Sequence, residues 1–253
     1  MAFFSETLLL FIAGFFGGVM NALAGGGSGV TFAALIFTGM PPIIANATNT
    51  FAATLGYITG AFGYRKHVYQ VRGPLIWQLP IVFIGGLIGG WMLLQTEAHV
   101  FEAAVPWLFL FATTLFMLGN RLQQWASQMG ARHITIVGGL ALFATCVYGG
   151  YFNGGFGILT LAALSLAGYT AVRAMNGVKL IFATVSSGGA LILFVRADAI
   201  DYLGGLAVMV GIGIGSYGAA RLTDYVSDEN VRRASLLVCF GVTIYAFWRY
   251  YLG

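Results

Sequence analysis

Charged side chains are scarce in this chain: Lys, Arg, Asp and Glu together make up 8% of its 253 residues. A soluble domain carries about 25% charged residues to solvate its surface, so most of this surface faces an apolar medium. Cysteine is scarcer still. Cys146 and Cys239 both lie inside apolar runs, which leaves no disulfide or metal framework to read. The histidines, His67, His99 and His133, are dispersed over loops and helix ends, unlike the clustered ligands of a zinc enzyme. No run of Lys or Arg exceeds two residues despite a net charge of +4, and that sets aside a nucleic-acid footprint. No P-loop, dinucleotide fingerprint or nucleophile elbow stands in a supporting context. Ser186-Ser187-Gly188-Gly189 reads as packing or pore lining rather than as a nucleophile. An enzyme is not expected, nor a cofactor, nor a metal site.

What is abundant is apolar: 59% of the residues are hydrophobic and the mean hydropathy is +0.87. Runs such as 74–94 and 231–252 reach the ~20 residues that cross a hydrocarbon core, and they are longer than the ~10-residue alternating strands of a membrane barrel. The segment 1–6 lacks the basic region of a signal peptide, so the apolar stretch after it reads as a retained membrane element. The expected fold is an all-α polytopic protein, a single membrane domain over 1–253. Its apolar elements are placed at 7–39, 43–64, 74–94, 101–119, 133–167, 171–195, 202–220 and 231–251.

The first and fifth elements are too long for a simple span, and glycine interrupts both. One breaks at Ala24-Gly25-Gly26-Gly27-Ser28, the other at Asn153-Gly154-Gly155. An offset of 129 residues aligns these breaks without gaps and also brings Gly39 onto Gly168 and Gly60 onto Gly189. Two repeats are therefore expected, about 7–119 and about 133–251.

Basic residues set the orientation, because Lys and Arg favour the cytoplasmic ends of membrane segments. Eight full crossings would divide the cations almost evenly. If each broken element instead enters and returns to the same side, all cations except Arg196 and Arg249 fall on one side. The expectation is thus two inverted repeats, each a glycine-broken re-entrant element followed by three transmembrane helices. Both termini then lie outside the cytoplasm, as expected of a multi-pass protein of a cell inner membrane.

A break at membrane depth is tolerated only where protein or a water-filled cavity surrounds it, and it leaves half-helix N-termini that favour an anion. The candidate substrate-binding residues are Gly25, Gly26, Gly27 and Ser28 at one break, and Asn153, Gly154 and Gly155 at the other. Beyond the breaks, Asn46, Asn49 and Thr50 share one helix face, as do Asn176 and Lys179. Blander roles stay open: close packing for the glycines, helix–helix hydrogen bonds for the asparagines, a snorkelling ammonium for Lys179. The acidic residues all lie near predicted ends and loops, which argues against a carboxylate-based cation site.

The segments 24–28 and 45–50 (Ala-Asn-Ala-Thr-Asn-Thr) resemble the first-half motif of the TauE/SafE sulfite exporter family. The run 148–159, Met175-Asn176-Gly177-Val178-Lys179 and the terminal 244–249 resemble its second half. Gly177-Val178 stands where relatives often carry Ala-Leu. The resemblance implies a membrane transporter of small sulfur oxyanions, sulfite-like or sulfonate-like, working by alternating access. An anion channel, or carriage of small carboxylates, is the alternative. The partners implied are a small anion and the lipid bilayer, with room for a homodimer.

Overall fold

The computed structural model describes residues 2–23, 25–128, 131–222 and 228–252. Ala24 of the first break lies outside that description, as do the side chains of Arg72, Arg132, His133, Arg232 and Cys239. Among the described residues all regular structure is helical. The helices are α1 (Ala2–Leu23), α2 (Gly27–Phe37), α3 (Pro42–Gly63), the short α4 (Arg65–Val68), α5 (Arg72–Gln95), α6 (Ala98–Ser127), α7 (Ala131–Tyr151), α8 (Phe156–Leu166), α9 (Val172–Arg196), α10 (Tyr202–Leu222) and α11 (Asp228–Phe247). A 3-10 turn over Tyr69–Val71 precedes α5, and a π-helical turn over Trp248–Leu252 ends the chain. The expected elements are all present, and the two long ones are broken at the expected glycines.

Each broken element is a hairpin with a long arm and an 11-residue short arm. At the first break Gly25 takes a left-handed conformation, φ 91°, and its amide closes α1 by donating to Met20 O at 3.0 Å. The chain then reverses. A Cβ added at Gly17 would lie 2.7 Å from Thr31 Cγ2, and Glu6 of α1 shares a cavity of about 370 Å³ with Thr38 beyond α2. The second hairpin folds the same way, with Gly138 of α7 against Ala167 after α8. Both short arms end in the same cap: Gly39 and Gly168 are left-handed, and Met40 and Tyr169 donate back to Leu35 O and Leu164 O.

The hairpins open at opposite ends of the bundle. The start of α1, the corner between α2 and α3, and Asp201 and Leu203 at the start of α10 line one cavity at the first end. At the other end Gly63 closing α3 meets Ala220 of α10, and Gly177 of α9 meets Tyr64 and Val68. There too the Tyr169 hydroxyl after α8 donates to Gln78 of α5 at 3.2 Å. Of the described basic residues outside the interior, Arg196 and Arg249 sit at the first end, and Arg65, Lys66, Arg121, Arg173, Arg221 and Arg233 at the second.

Among the described residues, five stretches are long and apolar enough to cross a membrane: Ser5–Leu23, Leu75–Gln95, Ala98–Leu115, Val172–Arg196 and Tyr202–Leu222. The long arm α1 is among them, so the first hairpin is lopsided, a full-length arm turned back by a half-length one. α3 is equally long at 22 residues, but it carries the buried polar residues Asn46, Thr48, Asn49 and Thr50.

Packing does not follow the order of the chain. α10 packs against α1 and α3, and α11 touches α2, while α5 packs against α7 and α9, and α6 against α8. Two groups result: α1, α2, α3 and α10 on one side, α5 to α9 on the other, with α11 between them, packed on α6 and touching α1 and α2. α5 and α6 pack on the hairpin of α7 and α8, and α10 and α11 reach the hairpin of α1 and α2. The groups meet where α3 crosses α9, and through α11 where it crosses α6.

Within the first group α1 and α10 cross backbone on backbone. A Cβ at Gly14 would stand 2.4 Å from Val208 O, one at Gly18 2.4 Å from Ile212 O, and one at Gly215 2.1 Å from Phe15 O. Small residues give this close approach in a medium where hydrophobicity does not drive helices together. Gly18→Ala is expected to destabilise the folded protein by about 1–3 kcal/mol through overpacking. Gly218→Ala, with no atom within 4 Å of the added carbon, is the control. Thermal unfolding in detergent should show a lowered midpoint for the first variant and little change for the second.

Candidate functional site

The two breaks meet. A Cβ at Gly25 would fall 2.5 Å from the carbonyl carbon of Gly157, and one at Gly157 would fall 2.7 Å from Gly25 Cα. Only glycine permits that approach, and Gly25 also needs its left-handed φ. Four half-helix ends therefore converge: the C-termini of α1 and α7 and the N-termini of α2 and α8. Each leaves backbone groups without intrahelical partners.

Side chains of α3 and α9 supply those partners. Asn46 of α3 reaches into the second break, where its Oδ1 accepts from Asn153 N at 3.1 Å and its Nδ2 donates to Tyr151 O at 3.0 Å. Asn49, one turn on, serves the first break: its Nδ2 donates to Ser28 O at 2.9 Å, and its Oδ1 accepts from the Thr31 hydroxyl at 2.5 Å. From the other group, Lys179 of α9 caps the end of α1. Its ammonium donates to Asn21 O at 2.8 Å, Ala22 O at 3.3 Å and Asn176 Oδ1 at 2.9 Å. The sequence left Lys179 a snorkelling alternative, but the side chain is wholly buried and reaches no interface.

Asn153 is the node of the arrangement. Besides Asn46, it is held by the Ser28 hydroxyl donating to its carbonyl at 2.8 Å and by Tyr57 donating to its Oδ1 at 2.6 Å. Its own Nδ2 donates to Thr50 at 3.2 Å. All these partners come from the opposite packing group. The carbonyl of Gly154 accepts from Tyr148 at 2.8 Å, and Phe152 is wedged edge-on against Phe32 and Phe109. Gly27 packs on the backbone of Gly17. Gly26 and Gly155 line a cavity of about 10 Å³ with Gly29, Phe109, Ala112, Thr113, Ile158 and Val242. That volume holds about one water. In this conformation the breaks are closed on each other.

Every candidate residue thus lies at or beside the meeting of the breaks; the amides of Asn46, Asn49 and Asn153 join segments distant in the chain, and that of Asn176 accepts from Lys179 on its own helix. Tyr57 and Thr31 were not singled out as site residues from the sequence, whereas Thr50 was placed on the polar face of Asn46 and Asn49. A signal for Tyr57 exists, since Asn46, Thr50 and Tyr57 repeat at helical spacing on one face of α3.

The gap-free offset of 129 fails for this chemistry. The left-handed glycines of the breaks are Gly25 and Gly155, Asn46 corresponds in position to Asn176 and Asn49 to Lys179, and Tyr151 O, which accepts from Asn46, corresponds to Asn21 O, which accepts from Lys179. All are 130 apart. The second break is one residue longer between its helices, and so is the connection after Gly168, which shifts α9 by one residue relative to α3.

The fold and this centre define a polytopic helical membrane protein whose chain breaks twice at mid-bundle. The sequence profile of the family described as "Sulfite exporter TauE/SafE" matches residues 10–246, and the chain belongs to that family. Among similar proteins, a "Probable membrane transporter protein" of Haemophilus influenzae is 27% identical over 238 residues, covering 93% of this chain and 92% of that one. The "Probable membrane transporter protein YfcA" of Escherichia coli K12 is 28% identical, covering 91% and 85%. The "Probable membrane transporter protein ORF9" of a Sinorhizobium species is 27% identical, covering 95% and 92%. No solved structure matches the chain.

Asn46→Leu removes the partners of Asn153 N and Tyr151 O together, and each buried group left unpaired costs about 1–3 kcal/mol. Tyr57→Phe removes one bond to a side chain that keeps others, a loss of about 0.5–1.5 kcal/mol. Thermal unfolding should rank Asn46→Leu as clearly the more destabilised of the two.

Proposed function

We propose that this protein is a secondary transporter of a cell inner membrane that carries small sulfur oxyanions, sulfite-like or sulfonate-like, by alternating access. The observation that carries this most is the meeting of two broken helices whose hairpins open to opposite ends of one bundle. In a bilayer such hairpins enter from opposite faces, as in inverted repeats, and their shared centre becomes reachable from either face in turn. The amides of α2 and α8 point into that centre and suit an anion. The unequal distribution of Arg and Lys puts the second end, with Arg65 and Arg173, in the cytoplasm. The family's described activity supplies the class of anion.

Rocking one repeat against the other would tear α1 from α10, a contact of backbone on backbone. The mobile bodies in this account are the two packing groups, each built from both repeats. Their mutual bonds, Asn46 to Tyr151 O, Tyr57 to Asn153 and Lys179 to Asn21 O, hold the centre closed, and movement exchanges them for contacts to substrate.

Flux of radiolabelled sulfite into proteoliposomes tests the proposal. Saturable uptake that shows counterflow is expected. Absence of flux for sulfite and sulfonates, or unitary channel currents, would contradict it.

A further inference from the structure

The centre holds one basic side chain, with no acidic partner among the described residues. Lys179 is wholly buried, and its three acceptors are two peptide carbonyls and a carboxamide. Three acceptors match the three hydrogens of an ammonium, where a neutral amine has two. No acidic side chain among the described residues is buried. Glu6, Glu97, Asp198 and Glu229 are exposed, and Glu102 and Asp201 are partly so.

Helix dipoles do not change this balance. A helix N-terminus carries roughly +0.5 charge and a C-terminus roughly −0.5. Two of each converge at the breaks, the N-termini of α2 and α8 and the C-termini of α1 and α7, so their contributions cancel to first order. What remains is the single positive charge of Lys179. An isolated charge in a low-dielectric interior is expensive, and a partner of opposite sign offsets the cost. A ligand of charge −1 leaves the loaded centre neutral. A dianion leaves one uncompensated negative charge, and a neutral isostere leaves the positive one.

We propose that the centre selects monoanions, with Lys179 as the charge that balances them. This rests on the anion-transport function proposed above. For sulfite, the species taken is hydrogensulfite; among organic ligands it is the sulfonate with no second charge.

The test measures thermal stabilisation of the purified protein by methanesulfonate, sulfate, thiosulfate and dimethyl sulfone at one pH and ionic strength, since a ligand of the folded state raises its midpoint. Methanesulfonate is expected to stabilise at least tenfold lower concentration than either dianion, and the neutral sulfone not at all. In Lys179→Gln the response to methanesulfonate should weaken at least tenfold, and in Lys179→Arg, which keeps the charge, the preference for methanesulfonate over sulfate should persist. The wild-type series stands even where Lys179→Gln does not fold. Sulfate or thiosulfate binding as tightly as methanesulfonate in the wild type, or loss of the preference in a folded Lys179→Arg, would overturn the monoanion rule while leaving anion transport intact. Stabilisation by no anion at all would remove the transport proposal, and this one with it.

Discussion

A backbone that breaks inside an apolar bundle must find partners for its freed amides and carbonyls within the protein, because lipid offers none. That requirement organises this molecule. At each break the freed groups are taken up by α3 and α9, the helices that carry amide, hydroxyl and ammonium side chains through the interior. Asn46 satisfies both an amide and a carbonyl of the second break, and Lys179 two carbonyls of the first. In each of these bonds the two partners belong to different packing groups, so the same bonds that permit the breaks also join the two groups.

The exchange of helices between repeats follows from the glycine stripes. α1 and α10 approach until a single Cβ would collide with a carbonyl oxygen, and α5 meets α7 in the same way, with Gly89 against Val147 O and Gly86 against Gly150. Contacts this close leave little room to slide. The other boundary is the seam where α3 crosses α9 and α6 crosses α11, held by hydrogen bonds and side-chain packing apart from the backbone contact of Gly25 with Gly157. A seam of that kind between two stiff bodies, with the breaks at its middle, is what an alternating-access carrier needs.

Much of this was legible in the sequence. The low charge and the length of the apolar runs gave the helical membrane fold, and the glycine clusters gave both breaks to within a residue or two. The polar face containing Asn46 and Asn49 could be read from helical spacing alone. Other features were hidden for physical reasons. The shift from 129 to 130 comes from single extra residues in a break and in a connection, and the agreement of common glycines and alanines masks such a shift. That α10 serves the first hairpin is a long-range pairing, invisible to local periodicity. The partners of Lys179 are backbone carbonyls more than 150 residues away, and a carbonyl leaves no trace in the residue type. Tyr57 was passed over because a tyrosine in an apolar helix reads as packing until its hydroxyl is seen against Asn153.

The central claim is that two bodies, each assembled from both repeats, move against each other along the α3/α9 and α6/α11 seam. Thr113 of α6 and Thr243 of α11 face each other across it, hydroxyl to hydroxyl at 3.1 Å, both buried. The most direct measurement is sulfite flux in the Thr113→Cys, Thr243→Cys double variant before and after its thiols are joined by oxidation or a short cross-linker. The account predicts that joining them stops flux and that reduction of the disulfide restores it. Undiminished flux through fully cross-linked protein would contradict it.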